Sequence, residues 1–317
     1  MPFITLLIGF ALLIKGADIF VDGASSIAKK FNVSPMLIGL TIVAMGTSAP
    51  EAAVSVSSSL AGQNDMSIAN VVGSNFFNIL IVLGVSSIIA KLPVEKETIK
   101  KDTPFLIFIS ILLLALSFNF NLSRLDGVIF LVLFVLFLIN MIKSNISSKD
   151  VESSSGETAI AIEAIDTKTI HMPKTLLLCL IGIVGIVFGG DLVVDSATNI
   201  ATSFGMSANL VGLTIVAMGT SLPELVTSVI AVKKGETEIA IGNVIGSNIF
   251  NILLVLGLAA LIHPMAVSMV AIIDTIFMTA VTILLYIFIK KNNSLTKIHG
   301  IIFVIIYFIY LIYTIIR

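Results

Sequence analysis

The sequence predicts an all-α integral membrane protein with ten transmembrane helices in two inverted-topology five-helix repeats. The composition, ten apolar segments and an internal duplication together predict this fold. Of 317 residues, 57% are hydrophobic and 12% charged, and the mean hydropathy is +1.12, whereas soluble domains carry about 25% charged residues. With so little charge, and a formal net charge of −1, the chain is not expected to be a soluble enzyme, a disordered protein or a nucleic-acid binder.

Ten segments are long and apolar enough to cross the hydrocarbon core of a bilayer, which takes about 20 helical residues. They use most of the chain, so little remains for an aqueous domain. In chain order the predicted spans are 2–28, 35–61, 66–90, 104–120, 125–142, 174–201, 207–232, 238–262, 267–289 and 298–316.

The charged loops predict how these spans are oriented, because lysine and arginine mark the cytoplasmic side of a membrane. With the N-terminus outside, fifteen lysines fall in cytoplasmic loops, whereas the outer side holds only Arg124 and Arg317. Both termini are therefore expected to face away from the cytoplasm. The longest loop, 143–173, is rich in Ser, Glu, Asp, Lys and Thr and is expected to be a cytoplasmic linker.

The chain contains one unit twice. Residues 37–56 match residues 210–229 at fifteen of twenty positions, at an offset of 173. The same offset aligns 68–84 with 241–257 at thirteen of seventeen positions, without gaps.

The duplicated unit contains five spans, so the predicted division is a first repeat at 1–142 and a second at 174–317. A unit with an odd number of spans inserts its two copies in opposite directions. Inverted repeats are an architecture of secondary transporters, whose substrate sites lie near the bilayer midplane between the repeats.

Each repeat concentrates its intramembrane polar residues in two motifs. The first is GTSAPE at 46–51, repeated as GTSLPE at 219–224. The second is GSNFFN at 73–78, repeated as GSNIFN at 246–251. An ionisable side chain in mid-membrane costs at least about 2.5–3.5 kcal/mol on insertion scales and indicates function by default.

The spacing within the first motif predicts a shared helix face, because Thr47 and Ser48 precede Glu51 by four and three residues. Pro50 lacks an N–H and clashes with the carbonyl of Gly46, so the helix is expected to kink and free backbone oxygens. Non-helical backbone at this depth is tolerated only where it lines an enclosed cavity.

Glu51 and Glu224, with hydroxyls, amides and carbonyls, form a set of hard oxygen donors. Such a set suits Ca²⁺ or Na⁺ and argues against zinc or copper. The charges of two ionised glutamates balance the charge of one Ca²⁺. Ca²⁺ also needs six to eight oxygen ligands, which two opposed repeats supply more easily than one. Cys179, the single cysteine, lies outside the motifs and is expected to be a buried thiol.

The remaining polar residues of the spans are expected to have structural roles. Asn75 and Asn248 are expected to bond neighbouring helices, and Met45 and Met218 to pack beside the first motif. Four acids that align between the repeats are expected to be interface or helix-end partners, with a peripheral ion path as the alternative: Asp18, Asp22, Asp191 and Asp195.

The paired motifs resemble the two alpha repeats of the calcium/cation antiporter superfamily, in the style of its prokaryotic sodium/calcium exchanger branch. The resemblance implies a secondary active antiporter in which Na⁺ entry drives Ca²⁺ extrusion by alternating access, without a prosthetic group. The partners are the two ions and the lipid bilayer. The implied ion ligands are the carbonyls of Ala44 and Ala217 and the side chains of Thr47, Ser48, Glu51, Ser74, Asn78, Thr220, Ser221, Glu224, Ser247 and Asn251.

Three alternatives remain open from the sequence. Some proton-coupled relatives exchange H⁺ for Ca²⁺, and this is the second hypothesis. A cation channel could use similar oxygens but would not couple two fluxes. An intramembrane hydrolase would need a nucleophile–base or metal pair, and the duplicated glutamates without an intramembrane histidine argue against it. Potassium-dependent relatives carry Asp at the position of Asn251, so the neutral Asn251 and Asn78 argue against K⁺ co-transport.

Overall fold

The computed structural model describes residues 2–62, 64–152, 171–205 and 217–316, and over these ranges the chain is almost entirely helical. The α-helices are α1 (Pro2–Phe31), α2 (Pro35–Ile38), α3 (Ala44–Thr47), α4 (Ala49–Leu60), α5 (Asn64–Phe77), α6 (Leu83–Ile89), α7 (Thr103–Ser117), α8 (Arg124–Glu152), α9 (Met172–Ser203), α10 (Ala217–Gly219), α11 (Leu222–Lys233), α12 (Thr237–Phe250), α13 (Leu256–Ile262), α14 (Met269–Asn292) and α15 (Lys297–Ile316).

Seven of the described helical stretches are long and apolar enough to cross a membrane, and an eighth span arises if the bent pair at 35–60 is counted as one. The structure therefore establishes an all-α membrane-spanning architecture without establishing ten spans. The predicted span 104–120 corresponds to α7, which is only 15 residues long. Most of the linker 143–173 and the start of the span 207–232 lie outside the described residues.

The predicted kink lies in the first motif. The segment from Pro35 to Leu60 is bent by 47°, and Ser48 leaves helical geometry there with φ −83° and ψ 8°. Pro50 occupies the first turn of the helix that follows, where its missing N–H costs nothing. Because the helix restarts at this point, the expectation that Ser48 and Glu51 share one continuous helix face is wrong.

π-helical turns mark both copies of the second motif. They cover Asn78–Val82 and Asn251–Val255, so each begins at the last residue of its motif. π-Turns inside α-helices are uncommon and concentrate at functional sites. The spans that contain them, Ser67–Ile89 and Thr237–Ile262, are the most buried in the described structure, with 72% and 78% of their apolar windows inside the protein.

Helices α1 and α9 pack against each other with backbone in direct contact. A Cβ added to Gly189 would lie 2.5 Å from the amide nitrogen of Leu13, and one on Gly16 would lie 2.7 Å from the carbonyl oxygen of Gly182. Small residues permit such an approach between membrane helices. The opposite faces of both helices expose large apolar side chains, as expected for lipid contact.

Two short antiparallel strand pairs join loops of the two repeats. Strand β1 (Leu92–Pro93) pairs with β4 (Ser294–Leu295), and β2 (Asn121–Leu122) pairs with β3 (Met265–Ala266). At the offset of 173, β1 is equivalent to β3 and β2 to β4. Each pair therefore joins a loop of one repeat to a non-equivalent loop of the other.

Candidate ion-binding site

Glu51 and Glu224 lie in the first turns of α4 and α11, and neither is exposed to solvent. Each glutamate accepts a hydrogen bond from the serine of the first motif in the opposite repeat. Ser221 donates to Glu51 Oε1 at 3.1 Å, and Ser48 donates to Glu224 Oε1 at 3.0 Å. The two copies of the first motif therefore meet in one buried site, where each glutamate is held by the other repeat.

Two asparagines that sequence reasoning missed, Asn70 and Asn243, connect the motifs. Asn243 Oδ1 accepts from Thr47 at 2.9 Å, and its amide nitrogen donates to the backbone carbonyl of Glu224 at 3.5 Å. Asn70 makes the equivalent contacts, with Thr220 at 3.4 Å and with the Glu51 carbonyl at 3.3 Å. A sequence signal existed, because both residues stand at matching positions of the second repeated segment.

The asparagines of the second motif form a ladder across the two repeats. The amide of Asn75 donates to the carbonyl of Asn248 at 3.3 Å, and that of Asn248 donates to the carbonyl of Asn75 at 3.4 Å. Their expected role in helix–helix bonding is confirmed. Asn78 donates to Asn248 Oδ1 at 3.0 Å and Asn251 to Asn75 Oδ1 at 3.1 Å, which fixes the orientation of both amides.

Four buried acceptor oxygens of these residues have no hydrogen-bond donor among the described residues. They are Glu51 Oε2, Glu224 Oε2, Asn78 Oδ1 and Asn251 Oδ1, two equivalent atoms from each repeat. A buried acceptor without a donor costs about 1–3 kcal/mol, and more if it is charged. A bound cation is the partner that would satisfy all four, since it interacts with acceptors and needs no donor.

Buried positive charge to balance the glutamates is absent from the described residues, where no lysine or arginine side chain is buried. A pair of uncompensated carboxylates in a membrane interior is strongly unfavourable. The glutamates must therefore be neutralised by protons or by cations from solution. This requirement follows from the structure alone.

The other predicted ligands differ in how directly they contact the two glutamates. Ser247 donates to Glu224 Oε1 at 3.3 Å, and Ser74 is buried beside Glu51. The Ala44 carbonyl accepts the amide of Ser48 at 3.0 Å and lies within 3.4 Å of the Thr47 hydroxyl. For Ala217 only the backbone is described, at the start of α10.

An ionic contact joins α1 to the end of α11. Lys234 Nζ lies 2.7 Å from Asp18 Oδ1 and 2.6 Å from Asp22 Oδ1, which confirms both acids as interface partners. Their equivalents on α9, Asp191 and Asp195, form no ion pair with any residue that the structure describes. The position equivalent to Lys234 is Ala61, so only one end of the molecule has this contact.

Replacing Lys234 by glutamine is expected to weaken the contact between α1 and the end of α11. Partly exposed pairs contribute about 1 kcal/mol, which corresponds to roughly a fivefold shift in a conformational equilibrium. In a Cys179→Ala background, the Ser25→Cys thiol, on the buried face of α1 near this contact, should react about fivefold faster with a maleimide. Lys233→Gln is the control, and an equal acceleration by it would contradict the role of the ion pairs.

The fold and the site define a class of protein, a multi-pass membrane protein whose buried centre combines oxygen acceptors from both copies of its motifs. The family described as sodium/calcium exchanger protein matches residues 1–143 and 174–316. The chain is 41% identical over 297 residues to a protein named CaxA from Alkalimonas amylolytica, covering 93% of this chain and 92% of that one. It is 32% identical to sodium/calcium exchanger MaX1 of Methanosarcina acetivorans, covering 98% and 97%.

Among solved structures, the sodium-calcium exchanger NCX_Mj, soaked with zero Na⁺ and Ca²⁺, aligns with a TM-score of 0.84 at 33% identity, over 97% of each chain. The chain belongs to the sodium/calcium exchanger family. It is therefore a cation/Ca²⁺ antiporter, and the resemblance inferred from the motifs is confirmed.

Proposed function

We propose that the protein exchanges Na⁺ for Ca²⁺ across a prokaryotic plasma membrane by alternating access. The observation that carries the proposal is the group of four buried acceptor oxygens without donors, two from each repeat. Two of them belong to glutamates, and no basic residue is buried in the described part of the chain, so they suit one Ca²⁺, or Na⁺ ions that replace it. Relatives named as sodium/calcium exchangers support the choice of ions.

Competition between the two ions is the proposed mechanism. Ca²⁺ or Na⁺ occupies the centre between Glu51 and Glu224, and occupancy permits the change between inward-open and outward-open states. The centre is sealed from solvent in this conformation, since both glutamates are fully buried, so ion entry requires a rearrangement. The proposed ligands are the twelve groups that the resemblance implies, from Ala44 to Asn251. The neutral Asn251 supports exchange without K⁺.

The strand pairs support an inverted arrangement of ten spans, with the repeats at 1–142 and 174–317. Strand β1 lies on the side of β4, and β2 on the side of β3. If α7 crosses the membrane between β1 and β2, then β1 and its equivalent β3 lie on opposite sides. Lysines flank β1 and β4, which supports a cytoplasmic position for that pair and outward termini.

Flux measurements in proteoliposomes test the coupling. Vesicles loaded with Na⁺ and diluted into Na⁺-free medium containing a protonophore should take up radiolabelled Ca²⁺, because outward Na⁺ flux drives the exchange. Replacing internal Na⁺ by K⁺ or choline should abolish the uptake. A channel would instead pass Ca²⁺ without Na⁺ on the opposite side.

The same vesicles distinguish proton coupling. Uptake that needs an imposed pH gradient, is indifferent to Na⁺ and stops with the protonophore would overturn the Na⁺ proposal. It would leave the same glutamates as proton carriers, because two buried carboxylates can be neutralised by protons as well as by cations.

A further inference from the structure

A cavity of about 910 Å³ lies at the end of the molecule where the lysine-rich loops gather, and none of the predicted ion ligands lines it. The walls come from the α1–α2 connection with the start of the helix that follows it, the segment between β1 and α7, and the middle of α8. Its volume is within the usual range for small-molecule sites, about 300–1,000 Å³. No part of the exchange mechanism uses it.

The cavity is amphipathic. One wall is apolar and is formed by Leu40, Phe105 and Phe137, the last two stacked with ring centroids 5.2 Å apart. The other wall is polar and belongs to the segment 95–102, with the amides of Asn32 and Asn140 beside it. An occupant therefore needs a polar end and an apolar body.

The apolar wall continues outside the cavity. Leu136 lines both the cavity and a shallow apolar groove of about 300 Å³ along α8. At 1.5 Å per residue, the groove from Val128 to Leu136 is about 12 Å long. It starts at Leu136, near the middle of the predicted span 125–142, and runs to Val128 near the outer end of that span, so an acyl chain that follows the apolar wall of the cavity can enter it.

The charge of the polar wall indicates which lipid headgroup would fit the polar end of the cavity. Glu95, Glu97 and Asp102 line it with one base, Lys101, which is paired with Glu97 at 2.5 Å. Burial raises the pKa of Glu95, with Glu238 adding to the shift, and burial raises the pKa of Asp102 to about 6. Three carboxyl groups against one base give this wall an excess of acidic groups, which a cationic headgroup complements better than an anionic one.

We propose that this cavity binds a membrane phospholipid with a primary-amine headgroup. The amine contacts Glu95 and Asp102, the phosphate contacts Lys101, and one acyl chain follows the apolar wall of the cavity along α8 and ends in the groove beyond Leu136. An ammonium group brings three N–H donors to acceptor-only carboxylates, which separates it from a choline headgroup of the same charge.

A tryptophan reporter tests the site, since the chain has no tryptophan of its own. Phe137→Trp places one in the cavity, and Leu136→Trp is a second reporter in case the first does not fold. Fluorescence quenching by phospholipids with brominated acyl chains then measures occupancy. The matched control is Phe308→Trp on α15, which faces outwards at 55% exposure and does not line the cavity.

Brominated phosphatidylethanolamine is expected to quench the cavity reporter at a mole fraction several times lower than phosphatidylglycerol or phosphatidylcholine. A preference on the order of fivefold corresponds to one partly exposed ion pair. Combined Glu95→Gln and Asp102→Asn should remove the preference, and Phe308→Trp should show none. Equal quenching by the three lipids, or a preference that survives the double substitution, would overturn the proposal.

Discussion

Replacing Glu51 or Glu224 by glutamine is expected to abolish Ca²⁺ exchange while the protein still inserts into the membrane. The amide keeps the volume of the side chain, removes one of the two buried charges and brings N–H donors to a centre made of acceptors. Removing one partner of a buried charge pair costs about 3–5 kcal/mol, so Ca²⁺ affinity should fall by about 10²–10⁴-fold. Na⁺-driven Ca²⁺ uptake and calorimetric Ca²⁺ binding both measure the loss.

Glu97→Gln is the control for this pair of variants, because the Glu97 side chain is 60% exposed and lies outside the ion centre. It should retain full exchange. Equal amounts of each variant in the membrane fraction, with unchanged melting temperature, separate loss of binding from loss of fold. Normal Ca²⁺ exchange by both glutamate variants would refute the site.

Gly246→Ala is the second substitution with a large expected effect. A Cβ at this position would lie 2.5 Å from the carbonyl oxygen of Leu40 and 2.7 Å from the Cβ of Ala44. Overpacking of this kind costs about 1–3 kcal/mol. It would also push α12, which carries Ser247 and Asn248, away from the first motif. Both the melting temperature and the exchange rate should therefore fall.

Gly190→Ala provides the matched comparison, since its Cβ would meet only the ring of Pro223 at an ordinary 3.6 Å. That variant should melt and transport like the parent protein. If Gly246→Ala behaves in the same way, close approach of α12 to the first motif is not required for the site.

Much of the site was predictable because each half of it is encoded locally. Pro50 indicated where the helix breaks. The duplication at a fixed offset indicated that Glu51 and Glu224 are equivalent residues of the two repeats. The partner of Ser48 was not predictable, because the break turns Ser48 towards the opposite repeat and cancels the helical spacing rule. Its bond to Glu224 depends on how the two repeats are docked.

Contacts present in only one of the two repeats, and strands of only two residues, gave no signal in the sequence. Lys234 pairs with Asp18 and Asp22 although its equivalent position is Ala61, so the repeat did not indicate the contact. The two-residue strands β1 and β4 are too short for a periodic pattern. The asparagines Asn70 and Asn243 were visible in the repeat, but outside the motifs their function was not apparent.

The contact between α1 and α9 has a consequence for the chain's single thiol. Cys179 is 5% exposed, and its sulfur fills the space beside Gly23. If α1 and α9 travel as one rigid body, that sulfur stays shielded throughout the cycle, and the native protein should resist alkylation during turnover. If instead the two helices slip past each other, modification should accelerate whenever both ions are supplied. The unmodified protein therefore carries its own probe of which motion occurs.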